Sequence, residues 1–264
     1  MARLYGDRAL ERLQRAHVVV AGLGGVGSWV AEALARSGVG KLSLIDMDQV
    51  ALSNLNRQAH ALHSTLGMSK IEAMAQRLRD ISPGVELDLH DTFLTPGNLD
   101  QCVPQDCDGV ADAIDQPRVK AALIAHLRRK PIHLVVCGAA GGRTDPLALR
   151  YADLASTTQD PLLARVRNQL RRHHGFPREA GRSFGVGAVY SVETRRGQLP
   201  AIAAGRASDF PPDAGGGSHP AQARFEDPIP GAALSCSGYG SSVMLTASIG
   251  MHCAVRIVHK LLTI

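Results

Sequence analysis

The stretch HVVVAGLGGVGSWVAEALARSGVGKLSLID, residues 17–46, decides how the rest of the chain is read. His17 to Gly22 is a continuous apolar run, which predicts a strand buried on both faces, as in a parallel sheet covered by helices. Gly25 to Ser37 has apolar residues at helical spacing, and Gly38 after it tolerates the left-handed conformation that closes a helix. Lys41 to Asp46 predicts a second strand. Between strand and helix, Gly22, Gly24 and Gly27 form GxGxxG, with Gly25 in the same loop; glycine permits a tight turn and lets backbone N–H groups approach a phosphate at the helix N-terminus. Asp46 ends the second strand where a carboxylate can accept hydrogen bonds from ribose hydroxyls. The competing reading is a purely structural glycine turn. The strand before it, the helix after it and the carboxylate beyond favour a nucleotide site, one that suits NAD as well as ATP.

The alternation continues on both sides of this unit. Met68 to Ile81 has helical periodicity, Val85 to His90 and Gly109 to Ile114 read as strands, Pro117 to Arg129 as a helix, and Ile132 to Cys137 as a further strand. Repeated βα units predict an α/β, Rossmann-like fold: a mainly parallel sheet with helices on both faces. Beyond Gly142 the pattern weakens. A helix is expected over Pro161 to His173, a strand over Gly187 to Glu193 and a last helix over Ser241 to Leu262. Residues 1–145 therefore read as the nucleotide-binding core. Residues 146–264 read as a smaller α+β extension packed as one unit with it, and the Pro-, Gly-, Ala- and Ser-rich stretch 197–228 as a flexible loop.

Length and composition agree. The 264 residues, 45% hydrophobic, suffice for one large core. Five cysteines, an odd number without a CxxC pair, and no signal-type apolar segment after Met1 point to a reduced, cytoplasmic protein. The uncharged stretch 229–255 is broken by proline, glycine and serine, so a buried helix or an oligomer contact is favoured over peripheral membrane association. The net charge of +5 is local: Arg165 to Arg196 holds eight arginines against Glu179 and Glu193. Such a patch, with Arg165, Arg167, Arg171 and Arg172 at its head, suits nucleic-acid phosphates or a solvated helix face, and charge alone does not choose.

The loop DMDQVALSNLNRQ, residues 46–58, separates ATP from NAD. It brings Asn54, Asn56, Arg57 and Gln58 to the glycine loop, with Lys70 on the next helix. The pyrophosphate of NAD needs no such cluster, whereas a triphosphate does: Arg57 and Lys70 can neutralise charge that builds when a nucleophile attacks the α-phosphorus. Asp115 ends a strand just before Pro117 and can cap the following helix, but it shares the carboxyl rim of the sheet with the other candidates. An oxygen ligand there can hold Mg²⁺ and offset pyrophosphate charge.

These residues carry a resemblance. GLGGVGS at 22–28, LIDMDQVALSNLNRQ at 44–58, Gly67 with Lys70, and DAID at 112–115 resemble the ubiquitin-activating, MoeB and ThiF superfamily, whose members adenylate carboxylates. Over nearly the whole chain, including the part outside the nucleotide core, the sequence is more closely similar to the tRNA threonylcarbamoyladenosine dehydratases. RLYG at 3–6, NRQAHAL at 56–62, KIEAMAQRLRDISP at 70–83, KAALIAH at 120–126 and DLASTTQDPLLARVR at 153–167 carry that likeness, and only 197–228 has no counterpart.

The resemblance implies that ATP adenylates the carboxylate of a threonylcarbamoyl group on tRNA and releases pyrophosphate. The carbamoyl group then closes a ring on the activated carbonyl, and AMP departs. It implies Asp46 on ribose, Arg57 and Lys70 on the phosphates, Asp115 on Mg²⁺, and Asn54 and Gln58 orienting the nucleotide. Arg165, Arg167, Arg171 and Arg172 become a tRNA surface. Arg3 matches a region that reaches the nucleotide of a partner subunit, which implies a homodimer.

Cys236 occupies a position where the dehydratases also carry cysteine. It reads as structural or sulfur-accepting, with a sulfur-transfer protein of the cysteine desulfurase system as a possible partner, because cyclisation supplies its own nucleophile. The CxxC pairs that hold zinc in MoeB-type relatives are absent, so no zinc is expected. His173 and His174, adjacent on a helix, diverge and read as surface residues. Three other readings stand beside the dehydratase. They are an adenylating enzyme for the C-terminal glycine of a sulfur carrier, an NAD-dependent oxidoreductase, and a non-catalytic sulfur-relay or tRNA-binding module.

Overall fold

A computed structural model describes residues 2–179, 181–194 and 239–263. Two short helices, α1 (Ala2–Tyr5) and α2 (Asp7–Arg15), precede the alternation. It runs β1 (His17–Ala21), α3 (Gly27–Arg36), β2 (Lys41–Asp46), α4 (Lys70–Ile81), β3 (Glu86–Asp91), α5 (Leu99–Cys102), β4 (Gly109–Asp112), α6 (Pro117–Leu127) and β5 (His133–Cys137). Then come β6 (Leu149–Asp153), α7 (Pro161–His173), β7 (Gly187–Ser191) and α8 (Val243–Thr263). The seven strands form one sheet in the order β3-β2-β1-β4-β5-β7-β6, parallel except for β6, which pairs antiparallel with β7 at the edge. This is the expected Rossmann-like architecture.

Side-chain alternation along the strands sorts the core into two layers. Val18 and Val20 of β1, Ala111 of β4, Val135 of β5 and Val189 of β7 share a cluster with α3, α4 and α8. Val19 and Ala21 of β1, Val110, Val136 and Ala188 share one with α6 and α7. Every residue of β1 is buried, which is why its sequence is a continuous apolar run rather than an alternating one. The last helix is a core element: a Cβ added to Gly250 would come within 2.8 Å of Trp29 Cβ and of the Val26 carbonyl, so α8 lies directly on α3. Among the described residues no helix is long and apolar enough to cross a membrane.

Several boundaries move, for local reasons. The strand expected to reach Ile114 stops at Asp112, because the Asp112 carboxylate turns back and accepts the Ile114 N–H at 3.1 Å. The helix expected from Met68 begins at Lys70, after Gly67 takes φ +81° and the Lys70 N–H donates to the Asp48 carbonyl. The helix expected from Gly25 begins at Gly27, since Gly22, at φ +87°, is still turning the chain. Four pieces are not anticipated. α1 is a single turn at the start of the chain, α2 buries only Ala9 and Leu13 beneath a charged surface, α5 is a single turn, and β6 is a partly exposed edge strand whose alternation is faint. The stretch 197–228 lies outside the described residues.

The carboxyl end of β1 is the topological switch point, since the chain leaves it toward β2 on one side and β4 lies on the other. Open α/β sheets bind ligands in the crevice such a reversal opens.

Candidate nucleotide site

The glycine loop fills that crevice. A Cβ on Gly27 would stand 1.7 Å from the Gly22 carbonyl oxygen, so the turn closes only with glycine there. Asp46, at the end of β2, faces the loop: its Oδ2 accepts the Leu23 N–H at 2.6 Å and its Oδ1 accepts the Asp48 N–H at 2.9 Å. The carboxylate expected on ribose is thus held rigidly beside the phosphate turn.

The loop after β2 folds over α3. Asn54 is buried and its Oδ1 accepts the Ala51 N–H at 3.0 Å. The Arg57 stem lies against the glycine loop, where a Cβ on Gly25 would meet Arg57 Cγ at 3.1 Å. Its guanidinium donates to the Ser53 carbonyl at 2.6 Å and to Asn56 Oδ1 at 3.0 Å. Asn56 in turn donates to the Ser241 carbonyl at 2.8 Å, tying this loop to the start of α8. Gln58 is buried and its Oε1 has no partner among the described residues, and a buried acceptor without a donor is costly unless something arrives to satisfy it.

Lys70, the first residue of α4, is buried, and its Nζ lies 2.6 Å from Asp48 Oδ2. Asp115 stands at the mouth of the crevice. Desolvation by the surrounding walls, with the Asp48 charge adding to it, holds its carboxyl above the usual carboxylate range. Asp115 does not cap α6: Gln116 occupies that position, no side chain makes a cap bond, and Pro117 begins the helix. Asp46, Asp48, Asn54, Arg57, Gln58, Lys70 and Asp115, with Gly22, Gly24 and Gly25, line one cavity of about 470 Å³. Two cations, Arg57 and Lys70, and three carboxylates, Asp46, Asp48 and Asp115, therefore face the same space.

Beneath the cavity floor lies a pair that sequence reasoning missed. Lys120 Nζ is 2.8 Å from Asp112 Oδ1 and also donates to the Asp112 carbonyl at 2.9 Å, with both side chains fully buried. Burial pushes the Asp112 carboxyl up. The pair pins the end of β4 to α6, and Ala113, Ile114 and Asp115 follow directly into the cavity wall. Also unforeseen are Asp48, Phe93 after β3, the run Gly138 to Gly141 after β5, Tyr239 and Thr246, all of which line the cavity. The only sequence signal for any of these was the second aspartate of DMD.

The remaining candidates lie elsewhere. Arg3 is exposed on α1, whose Tyr5 packs edge-on against His259 of α8, and it does not line the cavity. The four arginines of α7 do not form one surface. Arg165 and Arg172 are exposed. Arg167 donates to Thr157 Oγ1, and Arg171 lies over the Phe184 ring at 5.2 Å and donates to the Pro177 carbonyl at 3.2 Å. The packing of α7 against the loops around it draws these two inward. Cys236 lies outside the described residues; Cys102, Cys107, Cys137 and Cys253 are free and buried.

Comparison with known proteins bears on this geometry. A sequence model of the ThiF family matches residues 1–263. The chain is 40% identical over 263 residues to the tRNA threonylcarbamoyladenosine dehydratase of Haemophilus influenzae, covering 99% of this chain and 92% of that protein. It is 42% identical over 250 residues to the Escherichia coli protein of the same name, covering 94% and 87%. Among solved structures, the E. coli tRNA N6-threonylcarbamoyladenosine dehydratase TcdA in complex with ATP superposes with a TM-score of 0.81 at 38% identity, covering 99% of this chain and 92% of that one. A complex of the same protein with AMP matches equally well.

Proposed function

The chain belongs to the ThiF family, and from that premise we propose that it is an ATP-dependent tRNA threonylcarbamoyladenosine dehydratase. It adenylates the substrate carboxylate and then closes the ring with loss of AMP. The observation that carries this reading is the meeting of the glycine loop, Asp46, Arg57, Lys70 and Asp115 in one cavity at the sheet's switch point. The full-length similarity to two curated dehydratases supports the substrate.

The residues divide the work. The glycine loop at the N-terminus of α3 receives phosphate through backbone N–H groups, and Asp46 accepts from ribose hydroxyls beside it. Asn54 shapes the wall, and the unpartnered Gln58 Oε1 awaits a donor from the nucleotide. Arg57 and Lys70 stabilise the charge that accumulates as the carboxylate oxygen attacks the α-phosphorus and the bond to pyrophosphate breaks.

The donor set also fits a divalent cation of the magnesium type. Asp115 and Asp48 present hard carboxylate oxygens to the same cavity. Asp115 would hold Mg²⁺ there, where the ion would supply charge neutralisation for the leaving pyrophosphate. Arg165 and Arg172 are the tRNA-facing members of α7. We also propose that the enzyme is a homodimer, with Arg3 reaching across to the partner's nucleotide, and that a sulfur-transfer protein is its partner through Cys236.

The test is incubation of the pure protein with ATP, Mg²⁺ and tRNA carrying threonylcarbamoyladenosine, followed by nucleoside mass analysis and a pyrophosphate assay. Loss of one water from that nucleoside with release of pyrophosphate is expected. Pyrophosphate exchange with an unchanged nucleoside would move the assignment to a protein carboxylate.

A further inference from the structure

The residues assigned to the nucleotide sit at the ends of β1, β2 and β4. The cavity continues past them to the loop after β5, where Cys137, Gly138, Ala139, Ala140, Gly141 and Leu162 line it. This end carries no charged side chain, so what it offers an acyl group is backbone. Of five consecutive N–H groups there, three are engaged. Gly138 donates to the Val189 carbonyl at 2.8 Å, Ala139 to Asp160 Oδ2 at 2.9 Å, and Gly142 to the Gly240 carbonyl at 3.0 Å. The N–H groups of Ala140 and Gly141, both buried residues, donate to nothing among the described residues. Buried backbone donors without acceptors are rare in folded proteins. Two in succession on a cavity wall mark a place for an anion.

Their direction is set from behind. Arg143 is fully buried and donates to the carbonyls of Ala139, Gln159 and Glu193, the last at 3.0 Å. Its guanidinium also lies 3.3 Å from Asp160 Oδ2. A trans peptide is planar, with C=O and N–H opposed. Drawing the Ala139 carbonyl to Arg143 therefore turns the Ala140 N–H away from Arg143. Ala139 to Gly141 line the cavity and Arg143 does not, so that direction is the cavity. Asp160 completes the frame: its Oδ1 accepts the Leu163 N–H at 3.0 Å at the start of α7. Gly138 leaves room for it, since a Cβ there would stand 2.3 Å from Asp160 Oδ2.

We propose that the Ala140 and Gly141 N–H groups form an oxyanion-receiving pair for the acyl half of the reaction, with Arg143 and Asp160 as the positioning residues that aim it. This rests on the adenylation and cyclisation reading above. When the carbamoyl group attacks the acyl carbon, the new bond pushes the carbonyl electron pair onto oxygen, where the two N–H groups receive it. The return of that pair breaks the bond to the AMP oxygen, AMP leaves with the electrons, and the proton of the attacking group passes to water. Donors fixed where the charge develops stabilise this step without reorganising.

Replacing Ala140 by lactic acid exchanges its one N–H for an ester oxygen and keeps every side chain. Steady-state cyclisation of tRNA should then show kcat lowered about 100-fold, the loss typical of one oxyanion donor, with the KM for ATP within about threefold. Arg143→Lys and Asp160→Asn should give the same split between kcat and KM, which a general loss of folding would not produce. The affinities for AMP and for an acyl-sulfamoyl adenosine, a stable mimic of the acyl-adenylate, separate this proposal from the substrate assignment. The ester should weaken the mimic about tenfold and leave AMP unchanged, whether or not tRNA is the substrate. An unchanged kcat and an unchanged mimic affinity in the ester protein would overturn the proposal.

Discussion

The Lys70 ammonium lies 2.6 Å from Asp48 Oδ2, with the lysine side chain 7% exposed and the aspartate 51%. One partner is fixed at the first turn of α4, while the other is half exposed and lines the cavity proposed for the nucleotide. A phosphate entering the cavity thus meets a cation already in place and competes for it with a carboxylate that water can solvate when displaced. This arrangement keeps the Lys70 side chain ordered before ATP arrives, at the cost of one ion pair that is cheap to open.

Lys70→Ala should therefore cost activity far more than stability. Removing a cation aimed at the developing phosphate charge should lower kcat/KM for pyrophosphate release roughly 100-fold. The orphaned Asp48 is half exposed, so the stability change should stay within about 1 kcal/mol. Pyrophosphate kinetics and urea denaturation on the same preparation check both halves, and a large drop in stability would count against the assignment.

Asp48 also sets a pH dependence. The Asp115 carboxyl is raised by desolvation and by the Asp48 charge, so it takes up a proton at higher pH than an ordinary carboxylate and the acid limb of activity lies correspondingly high. Asp48→Asn removes the like charge and frees Lys70, and both changes favour ionised Asp115. The acid limb of the kcat/KM profile should move to lower pH in this variant. A limb that moved up or stayed put would remove Asp115 from the titration.

The parts of this site that could be read in advance are local in sequence. Gly22, Gly24 and Gly27 with Asp46 lie within one βαβ unit, and the chain must bend there in the way those residue types allow. Arg57, Gln58 and Lys70 lie on the next connection. In DAID, the end of β4 separates two aspartates that look alike in the sequence: Asp112, the last strand residue, points inward to Lys120 on α6, whereas Asp115, beyond the turn, reaches the rim. What the sequence does not show is set by distant contacts. Arg143 acquires its role only through Gln159, Asp160 and Glu193, and no spacing rule links those positions. β6 escaped because an exposed edge strand has little alternation to display.

His60 provides a test of folding rather than catalysis. It is 1% exposed, neither ring nitrogen has a partner among the described residues, and burial with the nearby Lys70 and Arg77 charges lowers its pKa from 6.5 to about 4. The folded protein thus holds His60 neutral where the unfolded chain would protonate it. Its stabilising effect is complete above pH 6.5 and is lost as pH falls from there toward about 4. That window corresponds to roughly 3 kcal/mol. Urea denaturation across it should show a shallower pH dependence in His60→Gln than in the wild type, and parallel slopes would remove His60 as the cause.

Lys120→Met tests the floor of the cavity. Removing one member of a fully buried pair strands the Asp112 carboxyl without its cation, a change that typically costs about 3–5 kcal/mol. The double variant Lys120→Met with Asp112→Leu should recover much of that loss, because two apolar side chains need no compensation. Denaturation midpoints of the single and double variants check this, and a single variant as stable as the wild type would mean that the pair contributes nothing.

The arginines of α7 should separate into two classes. Arg165 and Arg172 stand seven positions apart, so they share one helix face, and both are exposed. Arg167 and Arg171 share another face and are spent on Thr157, Phe184 and Pro177. If α7 meets tRNA phosphates, Arg165→Ala and Arg172→Ala should each weaken tRNA binding and reduce the slope of log affinity against log salt by about 1, with stability unchanged. Arg167→Ala and Arg171→Ala should instead lower the denaturation midpoint, and their salt slope should match the wild type once only folded protein is counted. Filter binding over a range of salt concentrations distinguishes the two classes. Equal slopes for all four variants and the wild type would move the RNA surface off this helix.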